Sequence, residues 1–352
     1  MERDQALVGT VALLALGGYE ADPQRVTRAS SYFEGRGLKV VVAPRPDERI
    51  QRFSASESIR LAALERVARD PEIRLVVGLR GGYGLSRLVS RIDFGGLAEG
   101  IRSRGVRWVG QSDWTAFQLA LLAATGAQSF AGPLAGPDFG AEQRDPFTER
   151  SFWSAVRGEP LRLEWAQEGP AIDVAGILWG GNLAMLASLV GTPYMPQIEG
   201  GILFLEDVNE HPYRIERMLL QLEAAGILAA QKALVLGTFS GYRLTDYDQG
   251  YDFEAMLDYL RTRLSLPIVT GLPFGHEGPK ATLPVGAQVR LRCSGQRAGR
   301  STHPFGAMVS EVPPLETGLR HRRVAALGPR SGLRAVSRAC GAAERRTSPC
   351  QP

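Results

Sequence analysis

The first half of the chain alternates short apolar runs with stretches whose apolar positions recur every three or four residues. That is the pattern of parallel strands joined by helices that cover both faces of a sheet. Residues 8–16 read as a buried first strand. Asp22 and Pro23 then supply an N-cap and a first-turn proline for a helix that Gly35 or Gly37 closes. A second strand at 38–43, a helix over about 56–68 and a third strand at 73–78 lead into LRGGYG. A further helix ends near Gly105, a fourth apolar run occupies 106–110, and the helix after it is apolar on almost every side, as in one buried all round. Asp145 and Pro146 repeat the cap-plus-proline signal and open a helix to about Arg157. Beyond the turn at 158–160 short strands at 201–205 and 233–236 mix with helices near 182–190, 213–225 and 252–263, with no internal repeat. The pattern predicts an α/β protein: an N-terminal parallel-sheet α/β domain over 1–150 and a second, smaller, mixed-sheet α/β domain over 151–291. Residues 292–352 lose both periodicities and are expected to be a disordered or non-native tail.

Composition changes this picture little. With 352 residues, 44% hydrophobic and 22% charged, the chain is long enough for two cores. The net charge of +4 conceals an asymmetry: the segment from Arg292 onward holds eleven Arg against three Glu, a net +8, which leaves the preceding residues at −4. The body therefore presents no basic face, and no nucleic-acid partner is expected. The Arg, Ala, Gly and Pro bias of the tail reads either as a flexible extension or as out-of-frame translation of a GC-rich gene. Its cysteines, Cys293, Cys340 and Cys350, are all the chain has and lack CxxC spacing, so neither a zinc site nor a disulfide framework is expected. The apolar run at 6–18 follows Glu2 and Asp4 rather than a basic region, which favours a buried strand over a signal peptide. No apolar run reaches the ~18 residues of a membrane helix. A soluble, cytoplasmic protein without a membrane partner is the expectation.

Candidate chemistry lies at the strand ends. RGGYG puts three glycines directly after a strand, either as a plain turn or as an anion-binding loop of bare N–H groups; it has neither dinucleotide nor P-loop spacing. VRWVGQSDWTAFQLALL has the strand, turn and helix order of a nucleophile elbow, although Trp114 replaces the second glycine of that motif. Taken locally, Ser112 and Asp113 are either helix caps or the site of the chemistry. Two histidines precede the tail: His211, before a proline at a helix start, and His276, in a glycine- and proline-lined loop. Glu206 and Asp207 close an apolar strand, where neighbouring residues point to opposite faces, so only one of them is expected to face a given site.

Read as a set, these segments are specific. LRGGYG (79–84), GQSD (110–113), GGNLAMLASLVGTPY (180–194), LFLEDVNEHPYRIERMLLQLEAAG (203–226) and FGHEGPKATLPVG (274–286) resemble, in that order, the LD-carboxypeptidase family of serine peptidases, which includes the microcin C immunity proteins. The resemblance covers about residues 8–291. It implies a Ser112–His276–Glu206 triad, an oxyanion hole from the backbone N–H groups of Asp113 and Gly82, and substrate contacts from Gly81, Tyr83 and Asn182. It also implies a homodimer that needs no metal or cofactor. The reaction implied is release of terminal D-alanine from murein tetrapeptide during cell-wall recycling. Hydrolysis of an aminoacyl-nucleotide analogue is the alternative, with Trp165, Trp179 or Tyr194 either stacked on the base or buried in the core; a non-catalytic ligand-binding protein is the reading from another class. Two positions depart from the family pattern without removing a catalytic group: ALGGY at 15–19, where an Ala-Pro-Ser-Gly type turn is common, and Gln111, where an aromatic often precedes the serine. The tail departs more, since a missing last strand would leave His276 poorly supported.

Overall fold

Strand β1 (Thr10–Leu14) is buried at all five positions and has a parallel neighbour on each side. The computed structural model describes residues 9–166, 169–294 and 306–310. Residues 1–8, 295–305 and 311–352, with Val8, Cys340 and Cys350, lie outside the described residues. In the first lobe β1 is followed by α1 (Pro23–Glu34), β2 (Lys39–Ala43), α2 (Glu57–Arg69), β3 (Ile73–Gly78), α3 (Phe94–Arg104), β4 (Arg107–Gly110), α4 (Trp114–Thr125), β5 (Ser129–Ala131) and α5 (Pro146–Val156). The side chains of Asp22 and Asp145 accept backbone N–H groups at the starts of α1 and α5, as the cap signals predicted, and Ser56 does the same at the start of α2.

The second lobe contains β6 (Arg162–Trp165), β7 (Ala171–Asn182), α6 (Leu183–Ala187), β8 (Gly201–Val208), α7 (Pro212–Ala224), β9 (Gln231–Ser240), α8 (Phe253–Arg263), β10 (Ile268–Val269), β11 (Leu283–Val285), β12 (Gln288–Ser294) and β13 (Gly306–Ser310). Two sheets result, with strand orders β11-β5-β4-β3-β1-β2 and β10-β9-β8-β7-β12-β13-β6. β1 to β5 pair in parallel, as do β7 to β10, while β12, β13 and β6 add antiparallel strands to the second sheet. The mixed second sheet is the one expected.

The boundaries differ from those drawn on the sequence. Residues 151–156 stay with the first lobe, because Phe152 and Val156 of α5 pack with Phe33 and Phe139 in its core. β11 returns to the first sheet, pairing antiparallel with β5 from Leu283↔Ala131 to Val285↔Ser129. The expectation that the fold stops at residue 291 is also corrected: β12 runs on to Ser294, and β13 pairs with β12 and β6. Alternation explains this in β12, where Val289, Leu291 and Cys293 turn inward and are buried between polar neighbours, and Met308 of β13 is buried with them, a strand pattern hidden by the arginine bias of the tail. No helix among the described residues is long and apolar enough to cross a membrane.

Candidate active site

At the end of β4 the chain turns so sharply that Ser112 takes φ +64°. A serine in that left-handed region costs on the order of 1–3 kcal/mol, a strain that surrounding structure must enforce. Here the following helix enforces it: eight consecutive residues of α4, Trp114 to Leu121, are buried. Neither Ser112 nor Asp113 serves as a side-chain cap of α4. The Asp113 carboxylate, 1% exposed, instead accepts the N–H of Leu85 at 2.9 Å, tying the elbow to the glycine loop. Burial raises its pKa to about 7, against partial relief from the N–H groups of Leu85 and Gly84 and the charges of Arg60 and Arg52.

The loop RGGYG lies against the elbow. A Cβ on Gly81 would come within 2.8 Å of Ser112 Cβ and 3.0 Å of its Oγ, so only glycine allows this approach. Gly82 adopts φ +83° and is exposed. Among the described residues, the N–H groups of Gly82 and Asp113 have no hydrogen-bond partner, which leaves both donors free beside Ser112. The ALGGY turn supports the loop through Gly18 N–H to Gly81 O at 2.9 Å. Beneath it Arg60, fully buried, donates to the carbonyls of Leu16, Gly84 and Ala55. Tyr83 stands on the rim, 40% exposed, near Arg52 and Arg87. Gln111 is buried, and its side-chain nitrogen has no partner among the described residues.

The second lobe brings Glu206 and His276 together. Glu206, fully buried near the end of β8, places Oε2 2.7 Å from His276 Nδ1. A carboxylate accepts, so Nδ1 carries the proton and Nε2 of the neutral ring is the free base. A run of contacts joins this pair to the elbow. Ser112 O accepts the N–H of Thr115 at 2.9 Å, Thr115 Oγ1 accepts the N–H of Asn182 at 3.0 Å, and Asn182 Nδ2 lies 3.4 Å from Glu206 Oε1. Ser112 Oγ itself makes no hydrogen bond to His276.

One expectation changes here. Asn182, read as a substrate contact, is 5% exposed and wholly engaged: Oδ1 caps α6 through Met185 N–H, and Nδ2 reaches both Asp207 Oδ1, at 2.8 Å, and Glu206. Of the two neighbouring carboxyls only Glu206 reaches His276; Asp207 meets the same Asn182 amide at an irregularity in the β8–β9 pairing between Leu205 and Asp207 and otherwise accepts the N–H groups of Ala184 and Val208. Burial raises the Asp207 pKa to about 6, against hydrogen bonds from Val208, Asn182 and Ala184 and with the Glu206 charge adding to the rise. His211 caps α7 and pairs with Asp248 at 3.1 Å, a structural place. Trp165 and Trp179 are core residues, with indole N–H groups bonded to Thr270 O and Gln231 Oε1; Tyr194 is half-buried. The sequence reading missed the Asp113 carboxylate and Thr115 as connectors. A lone acid and a threonine inside a helix start otherwise apolar were the available signal.

Profiles of the LD-carboxypeptidase N-terminal domain and C-terminal domain match residues 11–132 and 175–291. A putative carboxypeptidase of Streptomyces coelicolor is 32% identical over 292 residues, 80% of this chain and 89% of that protein. The chain belongs to the LD-carboxypeptidase family. A probable murein peptide carboxypeptidase of Bacillus subtilis is 28% identical over 79% of this chain and 87% of its own. The crystal structure of a muramoyltetrapeptide carboxypeptidase from Oxalobacter formigenes superposes with a TM-score of 0.78 at 44% identity, covering 86% of this chain and 99% of that one. The microcin C7 self-immunity protein MccF shares the fold, with a TM-score of 0.74 at 20% identity over 86% of this chain and 96% of its own.

Proposed function

We propose that this LD-carboxypeptidase hydrolyses muramoyl tetrapeptide, releasing terminal D-alanine, with Ser112 as nucleophile, His276 as base and Glu206 as the carboxylate that orients it. The observation that carries the reading is the 44% identity, over nearly the whole length, to a muramoyltetrapeptide carboxypeptidase. The 2.7 Å His276–Glu206 contact and the strained Ser112 supply the matching chemistry. Substrate binding completes the bond between Ser112 Oγ and His276 Nε2. The Oγ–H proton passes to Nε2 as Oγ attacks the carbonyl of the L,D bond, and the developing oxyanion accepts the N–H groups of Asp113 and Gly82. Collapse of this intermediate breaks the C–N bond, His276 protonates the departing amine of D-alanine, and an acyl group remains on Ser112. Water, deprotonated by His276, then hydrolyses the ester. Glu206 stabilises the imidazolium at both stages.

The reading also carries a cytoplasmic place in cell-wall recycling and a homodimeric assembly, both matters for direct measurement. Burial of Trp165 and Trp179 weighs against a base-stacking role in an aminoacyl-nucleotide hydrolase. Mass spectrometry of products from murein tetrapeptide offered beside aminoacyl sulfamoyl nucleotides tests the choice: D-alanine is the expected product, and cleavage of the nucleotide alone refutes it. A fluorophosphonate probe tests catalysis itself, with labelling of Ser112 expected and its loss in His276→Ala. Well-folded protein that takes no label is a binder.

A further inference from the structure

His276 sits on a loop whose two arms are held by different lobes. On the rising arm Phe274 O accepts the N–H of Thr238, in β9, at 2.8 Å. The neck of the loop is closed by Ala281 N–H to Pro273 O at 2.7 Å. On the descending arm, four residues past the histidine, Lys280 leaves the second lobe altogether. Its ammonium, with the side chain 4% exposed, lies 2.9 Å from Asp138 Oδ1 and 3.1 Å from Oδ2. Its backbone N–H donates to Thr148 Oγ1 at 2.8 Å, and that of Thr282 to Ser151 Oγ at 2.9 Å. Every one of these partners belongs to the first lobe.

Asp138 is itself well placed to transmit position. It lies in a π-helical turn, Ala135–Phe139, where its Oδ2 also accepts the N–H of Leu134 at 2.7 Å. The same turn donates Gly136 N–H to Leu79 O at 2.8 Å. Leu79 directly precedes the glycine loop that lies on Ser112. One short segment thus ties the loop bearing Gly82 to the loop bearing His276. Lys280 is buried and Asp138 partly so, and such a pair adds little net stability over an apolar pair, because desolvation offsets the attraction. What such a pair supplies is a fixed, directional anchor.

We propose that Lys280 and Asp138 are positioning residues that register the His276 loop, carried by the second lobe, against Ser112 and its glycine loop in the first. The proposal rests on the triad reading given above, and its test separates the two. The full chain is compared with Lys280→Met, Asp138→Asn and the double variant, reading thermal stability, the rate of fluorophosphonate labelling at Ser112, and amide hydrogen exchange over residues 272–282. Each single variant leaves a charge unpaired, a buried ammonium in Asp138→Asn and a partly buried carboxylate in Lys280→Met, and is expected to melt lower; the double variant, with both charges gone, regains most of that loss. Labelling is expected to remain slower than wild type in the double variant, on the order of 10–100-fold, with exchange in the loop at least about tenfold faster. Recovery of wild-type labelling and exchange along with stability overturns the positioning role and leaves a merely structural pair. A wild-type chain that takes no label overturns the triad reading, and the proposal with it.

Discussion

Asp113 offers the sharpest quantitative test, because a buried carboxyl makes stability depend on pH with a definite sign. Its pKa rises from 3.8 to about 7 in the folded chain. The folded state then holds the proton more tightly than the unfolded state between about pH 4 and 7, so Asp113 lowers stability progressively as pH rises through that window. Linkage across pH 5 to pH 8 amounts to roughly 2–3 kcal/mol. In Asp113→Asn the bond from Leu85 N–H persists to the amide oxygen, while the ionisable proton is gone. The amide nitrogen falls where Oδ1, which has no partner among the described residues, now lies, at a pH-independent cost of about 1–3 kcal/mol. That constant, and the titration of Asp207 common to both proteins, cancel when the difference between variant and wild type is compared at two pH values. Urea unfolding at pH 5 and pH 8 should therefore show the variant gaining roughly 2–3 kcal/mol on wild type at the higher pH. A difference that stays flat, or one that shifts toward wild type, would refute the claim that Asp113 is destabilised as an anion.

Ser112→Ala should lower turnover of the tetrapeptide by about 10⁴–10⁶-fold, while removing the hydroxyl leaves the circular-dichroism melt within a few degrees of wild type. Gly81→Ala places a methyl 2.8 Å from Ser112 Cβ, so steady-state assays should find kcat depressed at least about tenfold with the protein still folded. Asn182→Ala removes the α6 cap and a donor shared by two buried carboxyls, and denaturant titration at pH 7 should register a loss of about 2–4 kcal/mol, smaller at pH 5 where Asp207 is protonated.

The alternation of strand and helix along this chain follows from short-range rules, and it was legible there. Apolar residues spaced by two or by three to four must be buried somewhere, and Asp22 and Asp145 mark helix starts through bonds that span only two or three residues. The five ordered motifs likewise pointed to Ser112, Glu206 and His276 without any coordinates. At Ser112 the local rules pulled toward a cap, and tertiary packing overrode them. Burial of α4 forces the left-handed turn, and the Asp113 side chain bonds to Leu85, 28 residues away in the chain. Local pattern also misplaced the edges of the lobes. β11 joins a strand some 150 residues earlier in the chain, and β13, with its buried Met308, completes the second sheet from inside a tail that its overall arginine bias had set apart from the fold. The resemblance implied a substrate contact at Asn182, whereas the fold sets Asp207 and Glu206 against its amide. These outcomes depend on which distant groups come within 3 Å once the sheets pack, and a linear pattern carries no such distances.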